Sequence, residues 1–263
     1  MNISHIVTVG CSLTYCQGLE IKYGWPSLLA NKLDCNLVNL ALPGIGNDAI
    51  TRRLTEYLYN NLSYNNTPFV IVSWSQPWRR EFWHEKIKYN GYIIDFKDYN
   101  IISLPDATPN NSLEQALIDN LNDEDSYRRS LLYKINIINL LENLNIPYIM
   151  TNNMPQRDDE TVCALVDSKF PKIAEKIYND KFYVDQLYML TREYPKLPCG
   201  HEGVESNLVA ANYIKQKINE LHPNCVFEKT QNFYPLQEFS KLSKLNRMFP
   251  EWCSFTLDSD KIN

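Results

Sequence analysis

The run Phe69-Val70-Ile71-Val72-Ser73-Trp74 constrains the fold more than any other stretch of the chain. An apolar run this continuous does not suit a sheet with one wet face. It reads as a central strand buried on both sides, the situation of a parallel sheet covered by helices. Pro68 introduces it. Shorter runs of β preference recur at Ile6-Val7-Thr8-Val9, Asn36 to Leu40, Pro147-Tyr148-Ile149-Met150 and Phe182-Tyr183-Val184. Between them apolar residues fall at helical spacing. These stretches are Trp25 to Leu33 (Pro26 in the first turn), Asp48 to Asn60, Ser126 to Leu144, 158 to 180 with a break at Pro171, Gln186 to Glu193, and Val204 to Leu221. Alternating strands and helices with right-handed crossovers predict an α/β fold, a three-layer α/β/α sandwich with a mostly parallel, flavodoxin-like sheet. In such a sheet ligands bind at the carboxyl ends of the strands. The loops after strands one, two and three should meet there, with a segment near the last helix.

Residues 1–225 read as one domain, with 84–125 as an insertion rich in Tyr, Asn and Asp. That insertion is either a lid or substrate-facing flap, or a surface elaboration. The extension 226–263 carries Phe227, Phe233, Tyr234, Phe239, Phe249, Trp252 and Phe255, too many aromatics for plain disorder. It packs back on the domain or joins a second copy into a homo-oligomer. A net charge of −5 without a dense Lys/Arg cluster argues against nucleic acid. No apolar run approaches the roughly 20 residues of a membrane span. The first residues, Met-Asn-Ile-Ser-His, have neither a basic nor an apolar leader region. Seven scattered cysteines without a CxxC pair suggest free thiols in a reducing, cytoplasmic compartment and no metal site.

Glycine is scarce, eight residues in all, and Gly10, Gly18, Gly44, Gly46 and Gly200 cluster in or beside three stretches, with Gly203 just beyond the last. In the first, strand one runs into Gly10-Cys11-Ser12, which delivers the Ser12 hydroxyl to a helix start. Ser12 is a candidate nucleophile; the alternative is a helix cap. In the second, Pro43-Gly44-Ile45-Gly46-Asn47, the Gly44 N–H is open to a ligand and Asn47 offers an amide to a substrate. The third, Cys199-Gly200-His201-Glu202-Gly203, precedes the final helix. Of the four histidines, His5 begins strand one, His84 lies in the insertion and His222 follows the last helix. Only His201 sits in a Gly-flanked loop at the expected face, where it can serve Ser12 as general base. Arg79-Arg80-Glu81 follows strand three. Arg80 reads either as a clamp on an anionic part of the substrate or as half of an Arg–Glu pair at a helix start. Trp74, Trp78 and Trp83 form a binding wall or belong to the core. No GxGxxG or GxxxxGK loop supports a nucleotide binder.

These residues carry a resemblance. Gly10-Cys11-Ser12-Leu13-Thr14, Asn39-Leu40-Ala41-Leu42-Pro43-Gly44 and Gly200-His201 resemble, in order and spacing over some 200 residues, the first, second and last motifs of the SGNH (GDSL-like) hydrolases. The Gly-Cys-Ser-Leu-Thr-Tyr variant with a following Pro-Gly-x-x-Asn-Asp looks like phage- and virus-encoded members, which would imply a host-cell cytoplasm. The resemblance implies Ser12 as nucleophile, His201 as base, the N–H groups of Ser12 and Gly44 in an oxyanion hole, an ester substrate, and no cofactor or metal. Three departures stand out. Cys11 replaces a common Asp, and the third motif, Gly-x-Asn-Asp, is absent. There Ser73-Trp74-Ser75-Gln76-Pro77 leaves Ser75 or Gln76 as the oxyanion donor. Lastly, Pro198 and Cys199 occupy the place of the acid, so the imidazole is oriented by a backbone carbonyl or by Asp185, Glu202 or Glu205. Two functions follow: a serine esterase or deacylase acting on an ester or O-acyl group, carbohydrate included, or a non-catalytic binding or structural protein on the same fold.

Overall fold

Four strands form one parallel sheet. The computed structural model describes residues 1–62, 66–82, 122–153, 160–184 and 187–229, with the backbone of 87–89, 92–94 and 100–102. Strands β1 (His5–Val9), β2 (Asn36–Asn39), β3 (Pro68–Trp74) and β4 (Tyr148–Asn152) lie in the order β2-β1-β3-β4. Every pairing is parallel. Residues 182–184 continue the sheet past β4 through one parallel bridge, Tyr183 to Met150, closed by Met150 N to Phe182 O at 2.9 Å and Val184 N to Met150 O at 2.8 Å. The order 2-1-3-4-5 is the flavodoxin-like one, and the expected three-layer fold is the one observed.

Side-chain alternation explains why the strand sequences are continuously apolar. Val7, Val9, Val70, Val72 and Trp74 point into one core, and Ile6, Phe69, Ile71 and Ile149 into the other. The first core is closed by α3 (Asn47–Asn61), α4 (Asp123–Asn143), α5 (Glu160–Lys169) and α6 (Pro171–Tyr178). The second is closed by α2 (Trp25–Lys32), α7 (Leu187–Thr191) and α8 (Val204–Leu221). Each fully buried Ile, Phe or Val contributes roughly 1.5–3 kcal/mol of apolar burial, so both faces are anchored through β1 and β3. Trp74 is wholly buried in the first core and is no binding wall.

Helix α4 begins three residues before its apolar pattern does. Asn122 caps it by accepting from Asp125 N at 3.0 Å, and Asp123, Glu124 and Asp125 fill the first turn. Acids there complement the helix dipole but carry no hydrophobic period. Pro171 breaks the 158–180 stretch into α5 and α6 as expected. Arg80–Phe82 starts no helix; it is a strand paired antiparallel with Asn100–Ile102. Within the insertion, Ile87–Tyr89 and Tyr92–Ile94 also pair antiparallel. Val226–Phe227 pairs in parallel with Asn2–Ile3. Trp83, His84, Asp185, Cys253 and the aromatics from Phe233 onward lie outside the described residues. No described helix is long and apolar enough to cross a membrane.

Candidate active site

The β1 exit is built over a few residues. After Val9 the chain passes Gly10 and enters a four-residue helix, α1 (Ser12–Tyr15), whose N-cap is Cys11. Ser12 therefore stands inside the first turn and is not the cap. Its side chain is largely buried at 7% exposure, and its Oγ makes no hydrogen bond to a described residue. A Cβ at Gly10 would lie 2.3 Å from Thr14 Oγ1 and 2.9 Å from Ser73 O. The strand-to-helix turn closes only because that Cβ is missing. Thr14 is locked in turn: Asn39 Nδ2 donates to its carbonyl at 3.0 Å, and Asn153 Nδ2 donates to its hydroxyl.

The β2 exit follows β1 for two more bonds, Leu40 N to Thr8 O at 2.7 Å and Leu42 N to Gly10 O at 3.2 Å. Gly44 then turns away with φ 78°. Up to Leu42 the loop thus stays in register with the β1 exit. Asn47, expected to meet substrate, is committed elsewhere. At 2% exposure, it donates through Nδ2 to Ser75 O at 3.1 Å and Ser130 Oγ at 2.8 Å, and its Oδ1 accepts from Ser75 N at 2.8 Å. With both amide protons used, Asn47 ties the β2 and β3 exits to α4.

Two further expectations at the β3 exit change. Ser75 is fully buried and its N–H is taken by Asn47, so it faces no substrate oxygen. Gln76 is partly exposed, and its amide makes no hydrogen bond to a described residue. Arg80 is held by Asp125 and Ser126 at the start of α4, both at 3.3 Å, and so serves as a brace instead of a substrate clamp. Glu81 pairs with Arg52 through two bonds of 2.8 and 2.7 Å. Arg79, 8% exposed, donates through Nη1 to Ser75 Oγ at 3.2 Å. A Cβ at Gly46 would lie 2.3 Å from Arg79 O, so this exit and the Gly44 loop are in direct contact.

The histidine loop is a tight hairpin. Lys196 and Glu202 form an antiparallel bridge, Leu197 N donates to His201 O at 2.8 Å, and Gly200 N donates to Leu197 O at 2.8 Å. Its tip packs on the turn after α1, where a Cβ at Gly18 would lie 2.9 Å from Cys199 Sγ. Buried Asn207 fastens the two together. Its Nδ2 donates to Gly203 O at 2.8 Å and its Oδ1 accepts from Trp25 N at 2.9 Å and Cys16 Sγ at 3.6 Å. The loop carrying His201 and the turn following Ser12 are thus one unit. Nothing in the sequence marks Asn207 or Asn153 for this, because Trp25, Cys16 and Thr14 lie far from them along the chain.

Burial holds His201 below the usual imidazole pKa. The Arg79 and Lys196 charges push the same way and the Cys199 carbonyl opposes them. The imidazole is neutral at neutral pH. Its Nδ1 is buried without a hydrogen-bond partner among the described residues. Glu202 does not orient it: the Glu202 carboxyl lines a cavity of about 20 Å³ with Leu13, Asn153, Thr191, Ser206 and Asn207. Burial raises its pKa against the opposing Lys196 charge and the Ser206 and Thr191 hydroxyls. Glu205 is exposed on α8.

The class that this architecture defines is a three-layer α/β/α fold on a parallel, flavodoxin-like sheet. A psychrotrophic esterase, EstA from Pseudoalteromonas sp., solved in a form inhibited by monoethylphosphonate, superposes with a TM-score of 0.51 at 14% identity, over 84% of this chain and all (100%) of that one. TesA gives a TM-score of 0.49 at 11% identity, over 82% of this chain and 99% of its own. The acetyl xylan esterase Est2A from the rumen bacterium Butyrivibrio proteoclasticus gives 0.46 at 14%, over 84% and 65%. At such identities the likeness to EstA speaks for the fold alone. No family model and no curated protein matches the sequence.

Proposed function

We propose that the protein is a serine esterase or deacylase working through a Ser12–His201 dyad on the ester or O-acyl group of a small molecule or carbohydrate. The observation that carries this reading is the Asn207 clamp, which fixes the loop of a neutral histidine against the turn that follows Ser12. Ser12 Oγ attacks the acyl carbon while His201 takes its proton, then returns it to the leaving alkoxide; water repeats the sequence to release the acid. The N–H groups of Ser12 and Gly44 and the amide of Gln76 receive the oxyanion. No described carboxylate orients His201, and a dyad without one should fall about 10⁴-fold short of a full triad.

Residues 1–225 are read as the domain bearing this site. Viral kinship and a cytoplasmic location rest on the motif variant and the free thiols. A second reading, a non-catalytic binding protein, is favoured by His201 Nδ1, which has no hydrogen-bond partner among the described residues. A fluorophosphonate probe separates the two. Covalent labelling that vanishes in Ser12→Ala and weakens in His201→Ala supports the esterase. No adduct, and no turnover of p-nitrophenyl acetate above the Ser12→Ala background, leaves the binding protein.

A further inference from the structure

The cations near the candidate site are not equivalent. Arg52, Arg80, Arg128, Arg129 and Arg192 each have a carboxylate within 3.3 Å. Arg79 is more than nine-tenths buried and has none among the described residues. Among the described residues its guanidinium makes one hydrogen bond, to the neutral hydroxyl of Ser75, and its Nε is buried with no partner. An uncompensated buried charge is destabilising by several kcal/mol. A chain that only needed to hold the β3 exit could do so with the Asn47 bonds already present. The backbone of Arg79 is pressed against Gly46, which fixes where the guanidinium starts from. Its charge also reaches His201, where it disfavours the imidazolium. A fixed cation beside the base, with no carboxylate partner among the described residues, is arranged to receive an anion from outside.

We propose that Arg79 seats a negatively charged group of the substrate, a carboxylate or phosphate a few ångströms from the scissile ester. The buried guanidinium, hydrogen-bonded to Ser75 on a backbone that packs against Gly46, is the feature that would recognise it. The proposal rests on the esterase reading for its chemistry but not for its binding. Pairing of the anion with the guanidinium offsets the buried charge and selects acidic esters over neutral ones of the same size. A charge-assisted pair of this kind corresponds to about 10–100-fold in preference.

The test compares mono-p-nitrophenyl succinate with p-nitrophenyl butyrate, and acetyl phosphate as the phosphate arm, in wild type, Arg79→Met and Arg79→Lys. The expected result is a kcat/KM ratio of succinate to butyrate ester about 10–100-fold above that of the uncatalysed reactions. It collapses toward the uncatalysed ratio in Arg79→Met and is partly kept in Arg79→Lys. Turnover of acetyl phosphate lost in Arg79→Met would assign the phosphate source instead of the carboxylate. Binding is read separately by the rise in Tm with free succinate or inorganic phosphate, expected in wild type and absent in Arg79→Met. Such a rise without fluorophosphonate labelling upholds the anion site while the esterase reading fails. Labelling and turnover with no charge preference and no Tm rise overturns the anion site alone. A Tm for Arg79→Met lower than wild type by more than about 5 °C marks Arg79 as structural and also overturns it.

Discussion

The exits of β1 and β3 are neighbours on one sheet, yet they are built differently. At the β1 exit a strand, a glycine and a short helix deliver Ser12 by local chain geometry, and the distant Asn39 and Asn153 only hold Thr14 behind it. At the β3 exit most groups are placed by a distant partner, Ser75 by Asn47, the Arg79 backbone by Gly46, Arg80 by Asp125 and Glu81 by Arg52, while the Arg79 guanidinium bonds nearby Ser75. A locally built exit keeps a recognisable motif. A remotely braced one can lose its motif and still hold its shape, because the bracing residues carry the geometry.

The comparison breaks most readily at the glycines. Gly10→Ala and Gly46→Ala should each be destabilising by about 3 kcal/mol, measured by urea unfolding, since both Cβ atoms would meet atoms at 2.3 Å. A cost at Gly10 alone would mean that the β3 exit yields where the β1 exit does not. Next comes Asn47→Ala. Loss of its three bonds leaves the buried Ser75 N–H unsatisfied, for about 2 kcal/mol; a change below about 0.5 kcal/mol would show that the two exits are not tied through this amide. The smallest effect is electrostatic. Activity on a neutral ester should fall with decreasing pH as His201 takes a proton and can no longer act as base. Burial, then the Arg79 and Lys196 charges, place that limb below the ordinary histidine value of 6.5. Arg79→Met removes one of those charges, so its limb should move upward. An unmoved limb would separate the β3 exit from the base.

Strand order, the two-faced burial of β1 and β3 and the helix at Val204–Leu221 were legible in the chain because period and local chemistry specify them. So was Ser12 as a residue at a strand-to-helix turn. The neighbouring position misled at Arg79 and Arg80: both follow β3, and nothing local says which guanidinium finds Asp125 and which is left facing inward. Asn47 misled for the same reason. Its amide looks available beside two glycines, until folding brings Ser75 and Ser130 to it from 28 and 83 residues away. Sequence alone determined the sheet, its helices and the residue types offered at its carboxyl edge, since those depend on hydrophobic period and turn chemistry. Only the tertiary structure decided which polar groups are consumed as braces and which keep an open valence, because a hydrogen bond is allotted by distance in space.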